Sequence, residues 1–316
     1  MFATRTVFTL LFLLFVCAQS RADAPARIFL VLPSTMQVHM AYVQTVKAAL
    51  RQSGLVEKKH YVLEERYIGG NYQIVSSLFR DLLKRDPALL IVVDVELVRA
   101  AQAATKTVPI VFIMDDPTGT GVVASLAHPG GNVTGLATYA EETMSKYVDL
   151  VREVIPRASR IAVLVNPDNQ SNPRMFEHIR ASAAGLGIES RAFEVTSPEK
   201  FDAAFNAITA YRPDAILLAT DIVIFSQRER YTAFALNRKI PLFGDARGLM
   251  YYGASRIDLY RRSANYVKKI LEGAKPGDLP VEKASTFNLW LNLTTAEALG
   301  LDLPQSLVLR ADEIIR

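Results

Sequence analysis

The residues with the clearest chemical spacing are Gly119-Thr-Gly121-Val-Val-Ala124, which follow a β-branched run and fit the G-x-G-x-x-G/A loop that cradles a dinucleotide pyrophosphate. Glu141, about 20 residues further on, stands where an acid would hold the ribose. Gly119, Gly121 and Glu141 together would describe an exported nucleotide-dependent oxidoreductase. Charge argues against it. Asp115, Asp116 and Pro117 lie between the strand and the glycines, placing carboxylates where pyrophosphate would sit, and His128-Pro-Gly-Gly131 breaks any helix that follows. The four histidines, His39, His60, His128 and His178, show neither H-x-x-H nor H-E-x-x-H spacing, so no metal site is expected. A G-x-S-x-G elbow is missing, since Gly253-Ala-Ser255 lacks the closing glycine. The chain therefore reads as a protein that binds without catalysis, and no cofactor is expected.

A binding protein built on parallel strands takes its ligand at their carboxyl ends. Six loops stand at such ends and are rich in short polar groups: Pro33-Ser-Thr-Met36, Asp94-Val-Glu96, Met114-Asp-Asp-Pro117, Asn166-Pro-Asp168, Thr220-Asp221 and Gly244-Asp245. Ser34 and Thr35 are candidate hydroxyl donors, and Asp94 and Asp115 candidate acceptors for a cationic or hydroxyl group. Asn166, Asp221 and Asp245 are the candidates from the second half of the chain. Each acid has a competing use as a turn residue or helix N-cap. Tyr251, Tyr252 and Tyr260 suit either packing or the lining of a cleft.

The elements that must position these loops follow from periodicity. Ile28 to Leu32 is a strand, and Met40, Val43, Val46 and Leu50 mark one face of a helix ended by Gly54. Tyr61 to Tyr67 is a strand; Ile74, Leu78 and Leu82 mark a helix. Leu89 to Val93 and Ile110 to Ile113 are continuous apolar runs, the signature of strands covered on both faces. The pattern restarts after Pro156, through strands at 161–165, 189–195, 215–218 and 241–243 with helices between them. A helix bearing Tyr260, Ala264, Val267 and Leu271 and a strand from Thr286 to Leu293 complete the chain. The fold class is α/β, with two doubly wound parallel-sheet lobes in series. No Gly/Ser-rich linker separates them, which suggests several crossings between the lobes.

With 316 residues and 50% hydrophobic composition the chain can bury two cores of ordinary size. A formal charge of +4, with acids and bases interspersed, gives no support to nucleic-acid binding. Residues 1–22 read as a secretory signal peptide: Arg5, an apolar run from Val7 to Ala18, and small residues at Ser20 and Ala22. Cleavage after Ala22 removes Arg5 and Arg21 and lowers the formal charge from +4 to +2. It also removes Cys17, the single cysteine, and with it any disulfide or thiol chemistry. The alternative, lipid attachment at Cys17, is disfavoured by the bulky Phe15 and Val16.

These features converge on a resemblance. The run QAATKTVPIVFIMDDPTGTGVVASLAHPGGNVTG, Gln102 to Gly135, resembles the signature of ABC-transporter substrate-binding proteins of the tryptophan/tyrosine uptake type. Ala162-Val-Leu-Val-Asn-Pro167, Tyr252-Gly253, Lys275-Pro-Gly-Asp-Leu-Pro280 and Leu309-Arg-Ala-Asp-Glu-Ile314 agree with it, so the likeness covers almost the whole chain after the leader. The resemblance implies a type I periplasmic-binding-protein fold, with lobes joined by three hinge crossings. The lobes would comprise 25–138 with 246–283, and 139–245 with 284–316. A small solute, an amino acid or related organic molecule, would be trapped between them in the periplasm and handed to an inner-membrane ABC permease, the protein acting as a monomer. Gly119 and Gly121 would serve the cleft loop and the start of a helix after it. The same fold could instead report occupancy to a membrane sensor kinase. The chain departs from relatives that bind aromatic amino acids in carrying His39-Met-Ala-Tyr-Val43 in place of a His-Pro-Ala-Leu-Asp-like segment. It also has Asp94-Val-Glu96 where many have a Gly-Thr-Pro turn.

Overall fold

The computed structural model of the protein describes residues 24–316. The expected signal peptide, its cleavage site and Cys17 lie outside the described residues.

The first sheet is built from β1 (Ala26–Leu32), β2 (Tyr61–Tyr67), β3 (Leu89–Val93), β4 (Ile110–Met114) and β5 (Val133–Ala137), with α1 (Met36–Gln52), α2 (Val75–Leu83) and α3 (Val95–Ala104) in the connections. The side chains of β3 and β4 are buried throughout because helices cover both faces. In β5 the backbone of the neighbouring β4 leaves no room for a side chain at Gly135, where a Cβ would stand 2.1 Å from the Phe112 carbonyl oxygen.

After β5 the chain enters the second half. It runs through α4 (Ala140–Val154), β6 (Arg160–Val165), α5 (Ser171–Gly185), β7 (Glu189–Glu194), α6 (Phe201–Tyr211) and β8 (Ala215–Leu218). Short α7 (Ile222–Ser226), α8 (Arg228–Asn237), β9 (Leu242–Phe243) and β10 (Met250–Ala254) follow. Then come α9 (Arg256–Leu271), β11 (Glu282–Lys283), β12 (Phe287–Asn292), α10 (Leu293–Leu299), α11 (Gln305–Leu309) and β13 (Glu313–Ile315).

Strand order is β11-β5-β4-β3-β1-β2 in one sheet and β13-β12-β10-β9-β8-β6-β7 in the other. Every pairing is parallel except β10 with β12. Both sheets reverse direction beside their first strand, between β1 and β3 and between β6 and β8, which are the switch points where open α/β sheets leave a crevice. Two apolar cores sandwich each sheet. The expected α/β class with two doubly wound lobes is the observed one.

Three strands of chain pass between the lobes: after β5, between β10 and α9, and between β11 and β12. They lie side by side, since the Ala284 amide donates to the Ala137 carbonyl at 2.8 Å and the Ser255 amide to the Thr286 carbonyl at 2.8 Å. Through the middle crossing α9 returns to the first lobe, where Leu259, Tyr260, Ala264, Val267 and Ile270 join the core of Ile28 and Leu30. Burial of each such large apolar side chain contributes roughly 1.5–3 kcal/mol. One boundary differs from expectation. Residues 250–254, assigned by sequence to the first lobe, form β10 in the second sheet, with Met250 opposite Phe243 and Leu291. The crossing therefore falls at Ser255 rather than Asp245. Tyr251 and Tyr252 are only half-buried and Gly253 interrupts the run, so β10 lacks the continuous apolar signal of its neighbours. Among the described residues no helix is long and apolar enough to cross a membrane.

Candidate functional site

A cavity of about 160 Å³ lies between the lobes at the carboxyl ends of both sheets. At roughly 30 Å³ per water it has space for about five waters, the scale of one small organic molecule. The first lobe contributes Pro33 after β1, Asp94 after β3, Asp115 after β4 and Thr138 after β5. The second contributes Asn169 and Ser171 after β6, Thr220 after β8, Gly244 after β9, and the β10 residues Tyr251 to Ala254. Met144 and Tyr147 of α4, Met175 of α5, and Val93, Ile113 and Leu218 supply an apolar wall. Few convergent polar groups on a largely apolar concave surface is the usual composition of a small-ligand site.

Of the seven residues nominated from sequence, Asp94 and Asp115 line this cavity. Asp94 caps α3, its Oδ1 accepting from the Glu96 amide at 2.9 Å, with the backbone held at φ 92°. A positive φ at a non-glycine residue is a strained conformation that the surrounding fold must impose. Burial pushes the Asp94 carboxyl up to about 6, and the neighbouring Glu96 charge adds to this; the Glu96 amide and the Tyr72 phenol oppose it by hydrogen bonding. Asp115 Oδ1 accepts from Thr138 Oγ1 at 3.0 Å and from the Ala140 amide at 2.6 Å, tying the β4 loop to the first crossing and to the start of α4.

The other five do not reach the cavity wall. Pro33 lines it in place of Ser34 and Thr35, and Thr35 is solvent-exposed at the start of α1. Asp221 is buried, with Oδ1 accepting from the Val223 and Ile224 amides at 2.8 and 3.1 Å and Oδ2 from Asn166 Nδ2 and Asn169 Nδ2 at 3.2 and 3.0 Å. Asn166 and Asp221 thus form a layer behind Asn169, which does face the cavity. Asp245 is 1% exposed. Its Oδ2 accepts from Arg228 Nε at 2.6 Å and from the Tyr231 hydroxyl, and its Oδ1 from the Arg247 amide at 2.8 Å. Asp221 and Asp245 are held by the amides of the next turn and by side-chain donors behind the wall, without which their burial would be costly.

Sequence reasoning missed Arg256, Asn169, Thr220 and Tyr147. Arg256 opens α9 directly after the middle crossing, where no local motif marks it. Its side chain keeps accessible surface, yet burial is the largest influence on its charge; both follow from an accessible face that looks into the cavity. The phenols Tyr251 and Tyr260 share the cavity wall with Arg256. Tyr147 is buried in α4 and its hydroxyl accepts the Tyr252 amide at 2.8 Å, bracing β10 against the first helix of the second lobe.

The glycine loop has another use than phosphate. Asp116 Oδ1 accepts from the Thr118 amide, Thr118 Oγ1 and the Gly119 amide at 3.0, 2.7 and 2.8 Å. A Cβ at Gly119 would lie 1.9 Å from Asp116 Oδ2, so the loop's own carboxylate requires the glycine. The helix expected after Gly121 does not form, and Val122 and Val123 bury themselves in the first core instead. A pyrophosphate would find no helix N-terminus there. Across the cleft Arg174 of α5 donates to the Gly119 carbonyl at 3.3 Å. Among the described residues no group of three or more His, Cys, Asp or Glu side chains is placed to hold a metal ion.

Comparison with known proteins places the chain in context. Residues 35–315 match the family described as ABC transporter substrate binding protein. A tyrosine-binding protein of Clostridioides difficile (strain R20291) is 26% identical over 220 residues, 67% of this chain; the match spans 63% of that relative's length. A crystal structure of a conserved domain protein from Vibrio cholerae superposes with a TM-score of 0.84 at 28% identity, covering 92% of this chain and 99% of that one. The ABC domain from Streptococcus pneumonia in complex with L-Trp gives 0.85 at 22% identity, covering 92% and 100%.

Proposed function

The chain belongs to the ABC transporter substrate binding protein family, as a solute-binding component, and from that premise we propose that it captures an amino acid or related small organic molecule between its lobes, unchanged, and presents it to an inner-membrane permease from the periplasm. The observation that carries this reading is the shared cavity: strand-end loops of both sheets converge on one space, so a ligand there touches both lobes at once. Such a ligand favours the closed arrangement by its differential contacts, and three crossings lying side by side allow the lobes to move as rigid bodies. The tyrosine-binding relative supports an amino acid or a related solute. Asp94 and Asp115 remain the proposed acceptors from the first lobe, joined by Asn169 and Thr220 from the second.

Calorimetric titration with amino acids, organic acids, amines and sugars, paired with small-angle scattering, tests the proposal. A saturating ligand should compact the protein and be recovered intact. The reading fails if no compound binds, if the radius of gyration is unchanged on saturation, or if the solute is converted.

A further inference from the structure

Arg256 is the one cationic side chain among the described residues that line the cavity. Resting on the reading of that cavity as the solute site, we propose that Arg256 selects solutes carrying a carboxylate, which docks on its guanidinium at the hinge side of the cleft.

Three observations point to this. The guanidinium lines the cavity, and a planar anion that accepts two parallel N–H bonds satisfies it best. Its surroundings are rich in donors. The Tyr251 phenol lines the cavity beside Arg256, and its O–H can donate to an anion held there. Tyr260 O–H, at 3.5 Å from His39 Nδ1, is at the limit of a hydrogen bond and also faces the cavity. A carboxylate offers about four lone-pair sites, enough for the guanidinium fork and both phenols. Finally, the carboxylate of Asp115, which shares the cavity wall, already accepts through Oδ1 from Thr138 and the Ala140 amide. His39 does not compete for the anion, because burial and then the Arg256 charge pull its imidazole down to about 4 and keep it neutral at pH 7.

The test is calorimetric titration of the chain and of Arg256→Gln and Arg256→Lys with matched sets: each of the twenty amino acids and several aromatic and dicarboxylic acids, the carboxamide of each, glucose and putrescine. The tightest ligand should be a carboxylate, and its carboxamide should bind at least about 30-fold more weakly, the effect of removing one partner of a buried charged pair. In Arg256→Gln the acid should fall to the level of the amide, with Arg256→Lys in between. Melting curves of the unliganded variants verify folding, and the acid-to-amide ratio in the unsubstituted chain needs no variant. Preference for a neutral or cationic compound, or an acid-to-amide ratio unchanged in Arg256→Gln, overturns this inference and leaves the solute-binding reading standing. Failure of every compound to bind overturns both.

Discussion

Asp245 separates a structural carboxylate from a ligand-binding one, and Asp245→Ala gives the clearest readout. Three losses follow from its geometry. The Tyr231 hydroxyl, in a side chain 1% exposed, loses its acceptor, at about 1–3 kcal/mol for a buried unsatisfied donor. The Arg247 amide loses the turn that Asp245 Oδ1 closes at 2.8 Å, worth about 1 kcal/mol. Arg228 loses its ion pair, but its side chain is 44% exposed and rehydrates, which limits that contribution to under about 1 kcal/mol. The sum is about 2–5 kcal/mol. For a chain of this size 1 kcal/mol lowers Tm by about 2 °C, so scanning calorimetry should show a fall of about 4–10 °C. Solute affinity, measured at a temperature where the variant is folded, should change less than threefold, because Gly244 and not Asp245 meets the cavity. A variant with unchanged Tm but tenfold weaker binding would refute the reasoning and return Asp245 to the site.

Three further outcomes are expected. Because the Asp94 carboxyl is pushed up to about 6 from an ordinary value of 3.8, the folded chain retains a proton there that the unfolded chain has lost; its contribution to stability therefore falls as pH rises from about 4 to about 6. Denaturation measured across that window should show this slope in the difference between the unsubstituted chain and Asp94→Asn, and a flat difference would contradict it. Gly119→Ala should displace the Asp116 carboxylate from its three bonds and lower stability by about 1–3 kcal/mol; fluorescence titration with NADH should meanwhile show no saturable binding to the unsubstituted chain. Arg174→Ala removes the donor that reaches the Gly119 carbonyl from the opposite lobe, so scattering should detect a more open average shape and calorimetry a threefold to tenfold loss of affinity, of the size expected for one exposed charged hydrogen bond.

The alternation of β-branched runs with helical periods is local, and it carried the α/β class, the two lobes and the loops in which a ligand contact had to lie. Asn132 and Asn292 show how far such local reading extends. Both sit in triplets that fit a glycosylation pattern, yet one bonds the Val108 carbonyl at 2.7 Å and the other caps α10. Only the tertiary structure decided which polar residues of those loops face the cavity. Asp221 and Asp245 have the same residue type and strand-end position as Asp94 and Asp115, and nothing in their own neighbourhoods distinguishes them. Asp94 and Asp221 both cap the amide two residues on, so the distinction lies in whether the packing of each loop turns the capped side chain into the cavity or behind it. Arg256 and β10 were hidden for the complementary reason. Their surroundings, the cavity wall for the one and Phe243 and Leu291 for the other, come together only when the middle crossing brings the chain back between the lobes.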